Sequence, residues 1–290
     1  MKNLDLSTLP AKKRKQIVSC LRAGIQLLYF LFLPSVFTAA FNGVKYIFTQ
    51  LGQGEKIEMT AFVSALLLVC AFTIVFGRFF CGFACAFGSL GDAMHAIYGI
   101  ICKKRKKKPR RIKPELAKKL ALVKYGILLL IALCCFAGVY QKARGTSPWD
   151  VFSMLHAGNF RLSSYIPGIV LLVLILVGMF FEERFFCHFL CPMGAVFSLL
   201  PILPFFTLHR KRENCIRGCS ACTRKCPSAV ELPSDGYVEI SGDCFQCQKC
   251  IDTCPKGNIR CGVKEFHGNE ILFTLFRAVF LLTLLLWAGI

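Results

Sequence analysis

Five apolar stretches, separated by polar connections, organise this chain. They cover about 18–41, 59–77, 120–140, 165–181 and 271–290. A helix crossing a bilayer needs about 20 mostly apolar residues, so each stretch predicts a transmembrane helix. The first contains Pro34, the third holds Lys124 near its start, and the fourth is followed at once by Glu182, Glu183 and Arg184. The fifth carries Arg277 in its interior. A charge within the bilayer is expensive, so a surface helix is the alternative there.

Composition agrees with the pattern. Hydrophobic residues make up 55% of the 290 positions, and the mean hydropathy is +0.56. These values exclude an ordinary soluble enzyme, a disordered chain and a coiled coil. The 36 basic and 16 acidic residues leave a net charge of +20, unevenly spread. Lys12, Lys13, Arg14, Lys15 and Arg22 crowd the leader, and the 103–119 connection holds eleven Lys and Arg against Glu115 alone. Connections 42–58 and 141–164 carry few charges. Basic loops stay on the cytoplasmic side, so the N-terminus and 103–119 are predicted cytoplasmic. The basic run reads as a topology determinant near anionic headgroups rather than a nucleic-acid patch. The leader's apolar stretch exceeds a usual signal-peptide core, which predicts an uncleaved anchor.

The membrane part reads as an internal duplication. Arg78-Phe79-Phe80-Cys81-Gly82-Phe83-Ala84-Cys85 recurs 106 residues later as Arg184-Phe185-Phe186-Cys187-His188-Phe189-Leu190-Cys191. Upstream, Ile47-Phe48-Thr49-Gln50-Leu51 with Gly54 matches Val151-Phe152-Ser153-Met154-Leu155 with Gly158. Each unit holds two spans, so both enter the membrane in the same direction. Both cysteine pairs then lie at one depth, at the cytoplasmic ends of the second and fourth spans. On a helix, positions i and i+4 share a face, so each pair can address one target. Four thiolates suit an iron–sulfur cluster. Packing of small apolar residues, or a redox disulfide, are the alternatives for Cys81, Cys85, Cys187 and Cys191.

Between the fourth and fifth stretches, residues 207–268 turn polar and hold nine of the 18 cysteines. Cys244-x2-Cys247-x2-Cys250-x3-Cys254-Pro255 has the bacterial ferredoxin spacing. Cys215-x3-Cys219-x2-Cys222-x3-Cys226-Pro227 has one extra residue between its first two cysteines, and Gly218 can absorb the bulge. In the crossed arrangement usual for two-cluster ferredoxins, Cys215, Cys219, Cys222 and Cys254 hold one [4Fe–4S] cluster, and Cys226, Cys244, Cys247 and Cys250 hold the other. Zinc is the competing metal, since C-x2-C pairs also build zinc ribbons. Structural disulfides are disfavoured in a reducing cytoplasm. Cys20, Cys70, Cys102, Cys134, Cys135 and Cys261 are assigned to packing.

These motifs make the chain resemble the polyferredoxin-type membrane electron carriers of the NapH and NosR kind. The resemblance covers about residues 20–262. Cys187-His188-Phe189-Leu190-Cys191-Pro192 fits the family's C-x3-C-P motif fully, whereas Ala86 follows Cys85 where the family has Pro. The expected fold is an all-α polytopic membrane protein with four or five transmembrane helices in an internal two-span repeat, plus a small α+β ferredoxin-like 2[4Fe–4S] insert. Its divisions are a first membrane repeat (1–102), a basic cytoplasmic linker (103–119), a second membrane repeat (120–206), the ferredoxin-like domain (207–268) and a C-terminal hydrophobic helix (269–290). The expected location is a bacterial inner membrane, with the N-terminus and the insert cytoplasmic.

The resemblance implies electron transfer among the two [4Fe–4S] clusters, a third iron–sulfur centre at the C-x3-C pairs, and a quinone pool or an extracytoplasmic redox partner. A quinol-dehydrogenase-type subunit is the enzymatic form of that reading. Partners would be membrane lipid, a quinone, a cytoplasmic ferredoxin-type donor, and an extracytoplasmic flavoprotein or reductase. Arg78 and Arg184 would offset cluster charge, or snorkel to headgroups. Trp149, Asp150, Val151, Phe152 and His156 read as an outer-side element, either the lining of a quinol or partner-docking site or, more simply, an interfacial anchor. The five histidines (His95, His156, His188, His209 and His267) are scattered and none lies mid-span, so no haem is expected. No glycine-rich nucleotide fingerprint opens a helix, so no nucleotide is expected. The runner-up is an assembly factor that reduces metal ions for a respiratory metalloenzyme, and a redox sensor is the weakest alternative.

Overall fold

A computed structural model describes residues 11–107, 109, 111–140, 145–160, 163–203, 207–230, 232, 235–238, 241–263, 266–267 and 270–289. Lys108 and Arg110 of the basic run, and the side chains of Lys12, Arg14 and His267, lie outside the described residues. The helices are α1 (Ala11–Phe32), α2 (Val36–Gln53), α3 (Ala61–Phe76), α4 (Ala86–Lys104), α5 (Pro114–Leu120), α6 (Val123–Phe136), α7 (Pro148–His156), α8 (Ile166–Phe181) and α9 (Pro192–Leu199). The insert follows with β1 (Thr207–Lys211), α10 (Ala221–Lys225), β2 (Asp235–Val238), α11 (Lys249–Thr253), β3 (Ile259–Val263) and β4 (Phe266–His267). Helix α12 (Glu270–Trp287) ends the described chain.

Local chemistry sets the breaks. Pro34 has no N–H to donate and its ring crowds the preceding turn, so α1 stops and α2 leaves at 62° to it. Thr60 caps α3 by accepting from Val63 N, and Ser147 caps α7 by accepting from Asp150 N. Gly54 ends α2 in the left-handed region at φ 69°.

Three helical segments are long and apolar enough to cross a membrane: Glu115–Phe136, Ser163–Phe181 and Glu270–Trp287. The bent pair α1–α2 makes a fourth if counted as one span, while α3 is apolar but only 16 residues long. Leu129, Leu130 and Leu133 on α6 and Val173 and Leu174 on α8 face outward, as lipid contact requires. Arg277 does not oppose a membrane-crossing α12. It is fully buried, sits 4.6 Å above the Phe79 ring and donates to Cys261 Sγ at 3.4 Å.

The interior is aromatic. Phe37, Phe41, Phe87, Trp149, Phe152 and Phe186 join α2, α4 and α7 to the second cysteine motif, with Phe87 4.5 Å from Phe152 and Trp149 5.9 Å from Phe186. Trp149 and Phe152 are therefore buried, which corrects the interfacial-anchor reading. They sit on the helix face that the Phe-rich core covers.

The insert is a four-stranded antiparallel sheet of order β2–β1–β3–β4, over which Leu208, Ile251, Ile259 and Cys261 pack. It docks on the helical body through contacts too close for side chains. A Cβ on Gly82 would lie 2.4 Å from the Phe245 carbonyl oxygen, and one on Gly242 would lie 2.5 Å from Ser198 O. Gly82→Ala should therefore push the insert off its seat, at a cost of about 1–3 kcal/mol. Its melting point should fall and proteolysis within 207–263 should speed up. Gly24→Ala, with nothing within 4 Å of its Cβ, is the control. Identical behaviour of the two variants would contradict the close docking.

Candidate metal centres

Both R-F-F-C-x3-C motifs adopt the same local structure. A π-helical turn runs over Phe80–Ala84 and again over Phe186–Leu190. It is closed by Cys85 N donating to Phe80 O at 2.8 Å and by Cys191 N donating to Phe186 O at 2.9 Å. The second cysteine of each motif is extended, at ψ 123° and 114°, and becomes the residue before α4 or α9. This corrects the helical i, i+4 geometry expected for each pair. Each thiol pair instead straddles a helix break, a placement that π-turns often mark at functional sites.

Cys81, Cys85, Cys187 and Cys191 are all buried, and the four belong to one hydrophobic cluster. Gly194 N donates to Cys191 Sγ at 3.2 Å.

The two arginines cross over. Arg78, from the first motif, donates to Ser198 Oγ at 3.1 Å and Gly242 O at 2.9 Å, and lies 3.7 Å from Asp243. Arg184, from the second, donates to Cys81 O, to Gly82 O at 2.9 Å and to Asp92 at 2.5 Å. Arg184 holds φ 61°, a left-handed conformation costly for a side chain of its size, and these bonds fix it there. Both guanidiniums cover the ring of Phe245, at 4.8 and 5.8 Å. Each arginine is only 1% exposed, so neither snorkels.

Partners that the sequence did not single out complete the site. Asp92 also accepts from Lys249 at 3.1 Å and from Gln26 at 2.8 Å, and Lys249 pairs with Glu183. Lys124, fully buried, donates to Asp243 at 2.6 Å and to Ser198 at 2.9 Å. Lys124 was the visible signal. A lysine at the start of an apolar stretch needs an anionic partner, and Asp243 abuts the cysteine run.

The insert's cysteines surround two cavities. Cys222, Cys226, Cys244, Cys247 and Cys250 line one; Cys215, Cys219, Cys222 and Cys254 line the other. Cys222 borders both. Asn258 spans the second cavity, donating from N to Cys254 Sγ and from Nδ2 to Cys215 Sγ, each at 3.3 Å. Gly218, at φ 72°, supplies the bulge that brings Cys215 round. No disulfide joins any of the 18 cysteines.

The donor sets fit iron–sulfur clusters. Among the described residues no three His, Cys, Asp or Glu side chains converge tightly enough for a single metal ion. The insert's thiols line cavity walls instead, as a multi-atom group requires. Burial first, then the neighbouring Cys247, pushes the Cys226 thiol up to about 11. Burial, followed by Cys247 and Cys244, also raises Cys250 well above the usual range. Thiolates so crowded need cationic iron to form.

Crowded thiol sets in an insert docked on an apolar helical body define a membrane-associated iron–sulfur protein. A family profile described as "4Fe-4S binding domain" matches residues 59–109 and 166–207, two stretches that each hold one C-x3-C motif. An uncharacterized protein of Methanocaldococcus jannaschii is 30% identical over 206 residues, covering 70% of this chain and 71% of that one. The ferredoxin-type protein NapH of Haemophilus influenzae is 24% identical, over 72% of this chain and 70% of NapH. The regulatory protein NosR of Pseudomonas aeruginosa is 23% identical, over 70% of this chain but 29% of NosR. No solved structure matches. The chain belongs to the NapH/NosR-type family of polyferredoxin-like membrane proteins.

Asp92 is the anion between two buried cations. Asp92→Asn should leave Arg184 without its carboxylate partner and Lys249 with Glu183 alone, at a cost of about 3–5 kcal/mol, read as a lower unfolding temperature in detergent. A wild-type melting curve for that variant would show that the cluster of charges is not holding the helices to the insert.

Proposed function

We propose that the protein is an electron conduit of the cytoplasmic membrane, linking clusters in its insert to a centre at the membrane boundary and on to a quinone pool or an extracytoplasmic partner. Cys215, Cys219, Cys222 and Cys254 would hold one [4Fe–4S] cluster, and Cys226, Cys244, Cys247 and Cys250 a second. Cys81, Cys85, Cys187 and Cys191 would hold a third iron–sulfur centre. Such clusters supply reversible one-electron transfer, tuned by nearby charge, hydrogen bonds and burial.

The observation that carries this reading is contact. Gly82, next to Cys81, lies against the Phe245 carbonyl, and its Cβ position is 3.5 Å from Cys247 N. The second insert motif thus packs directly on the backbone of the first membrane motif, one residue from Cys81. The family profile's two stretches, each spanning a boundary cysteine pair, add independent support. The chain's own residues do three things here. Arg78 and Arg184 bring buried positive charge beside the thiols. Asp92 and Asp243 hold those guanidiniums in place. Phe245 fills the space between the motifs and keeps water out. The internal repeat, the five divisions of the chain and a cytoplasmic N-terminus and insert complete the proposal.

Iron and sulfide counting on anaerobically purified protein tests it. Two clusters give about eight irons per chain, and a third centre raises the count to about ten or twelve. The Cys81→Ser/Cys187→Ser variant should lose only that increment. An iron content unchanged in this variant would overturn the boundary centre.

A further inference from the structure

Five lysines and arginines are buried among the described residues: Arg22, Arg78, Lys124, Arg184 and Arg277. Four of them face a carboxylate. Arg22 has Asp252, Arg78 and Lys124 share Asp243, and Arg184 has Asp92. Arg277 is the exception. It is 0% exposed, yet no carboxylate among the described residues pairs with it. Its Nε donates to Phe273 O on its own helix at 3.3 Å, and its Nη2 to Cys261 Sγ at 3.4 Å. Its Nη1 finds no acceptor among the described residues. Glu270, the one acid on α12, lies two turns back, about 10 Å along the axis. A guanidinium left uncompensated in an apolar interior is a costly group to bury. Negative charge from another source would remove that cost.

Metal-binding motifs flank it on two sides. The guanidinium covers Phe79, which stacks on Phe83 at 4.5 Å inside the first membrane motif. Opposite, Cys261 packs in the insert's core with Cys244, and Cys222, Cys250 and Cys254 lie against that core. One turn back on α12, Thr274 accepts from Gln248 Nε2 at 2.8 Å. Gln248 lines the cavity shared by Cys226, Cys244, Cys247 and Cys250. Helix positions three apart share a face, so Thr274 and Arg277 address the same side of α12. A cubane held by four thiolates is net negative, and an added electron makes it more so. Such a cluster supplies the counter-charge that the chain's carboxylates do not.

We propose that Arg277 sets the reduction potential of the second insert cluster, the one assigned to Cys226, Cys244, Cys247 and Cys250. Its charge favours the reduced form and so raises the potential. No nearby carboxylate cancels its field, and an apolar interior screens that field weakly. The inference deepens the proposed function and rests on it. It gives α12 a part in electron transfer besides crossing the membrane.

The test uses full-length protein, purified anaerobically in detergent, titrated with dithionite and followed by EPR. In Arg277→Gln the equilibrium constant for reducing the second insert cluster should fall at least tenfold, about 59 mV for a one-electron couple. Iron content should match wild type. Arg277→Lys keeps the charge without the planar fork, and its potential should stay close to wild type. Thr274→Asp sets a carboxylate one turn from Arg277 and should lower the potential in the same direction; it decides the matter if Arg277→Gln does not retain iron. Asn258→Asp tells the two insert signals apart. Asn258 donates from Nδ2 to Cys215 Sγ in the other cavity, so its carboxylate should move the first cluster's signal. Wild-type potentials in Arg277→Gln, or in Thr274→Asp where that variant decides, would overturn the proposal. So would an equal drop in Arg277→Lys and Arg277→Gln, or a shift confined to the signal that Asn258→Asp moves. Wild-type protein without cluster iron defeats the conduit itself. Full iron with an unmoved potential defeats only the role of Arg277.

Discussion

One aromatic ring between two buried guanidiniums ties this molecule together. Phe245 comes from the cysteine run of the insert, Arg78 from the first membrane motif and Arg184 from the second. Each arginine also reaches across to the opposite half, so the halves cannot separate without stripping both cations of their partners. A cation over a ring face is favourable by about 2 kcal/mol when desolvated, and losing a partner from a buried ion pair costs more. The insert is thus held at one position relative to the boundary thiols.

That constraint explains the charges around it. Two arginines and two lysines inside an apolar body would be prohibitive alone. Asp92, Glu183 and Asp243 compensate them, each drawn from a different part of the chain. Burial works to lower the ammonium of Lys249, and Asp92 and Glu183 overcome it and leave that group raised and charged. The two guanidiniums would offset the negative charge of a thiolate-ligated cluster at the boundary.

Much of this was legible in the residues because it is local. Cysteine spacing marked the insert, apolar length marked the long helices, and the R-F-F-C-x3-C recurrence marked paired thiols. Pro34 stood inside a stretch read as one span, and the 62° bend there between α1 and α2 was not read from it. What escaped was long-range or conformational. Arg184 and Asp92 are 92 residues apart, and nothing in either neighbourhood names the other. Arg277 looked like an obstacle to a membrane helix until its inward partners, Phe79 and Cys261, were in view. Spacing alone could not tell a π-turn from an α-helix, since both begin with the same residues and differ by one in the hydrogen bond that closes them. Trp149 and Phe152 carried the composition of an interfacial belt, and only packing against Phe87 and Phe186 placed them inside.

The central claim is that the second insert motif sits beside the boundary centre, and spin coupling reads it directly. EPR of the stepwise-reduced protein should show signals split or broadened by magnetic interaction between an insert cluster and the boundary centre, collapsing to simpler spectra in Phe245→Ala as the insert shifts. Spectra that add up as independent, uncoupled clusters at every potential would contradict the account.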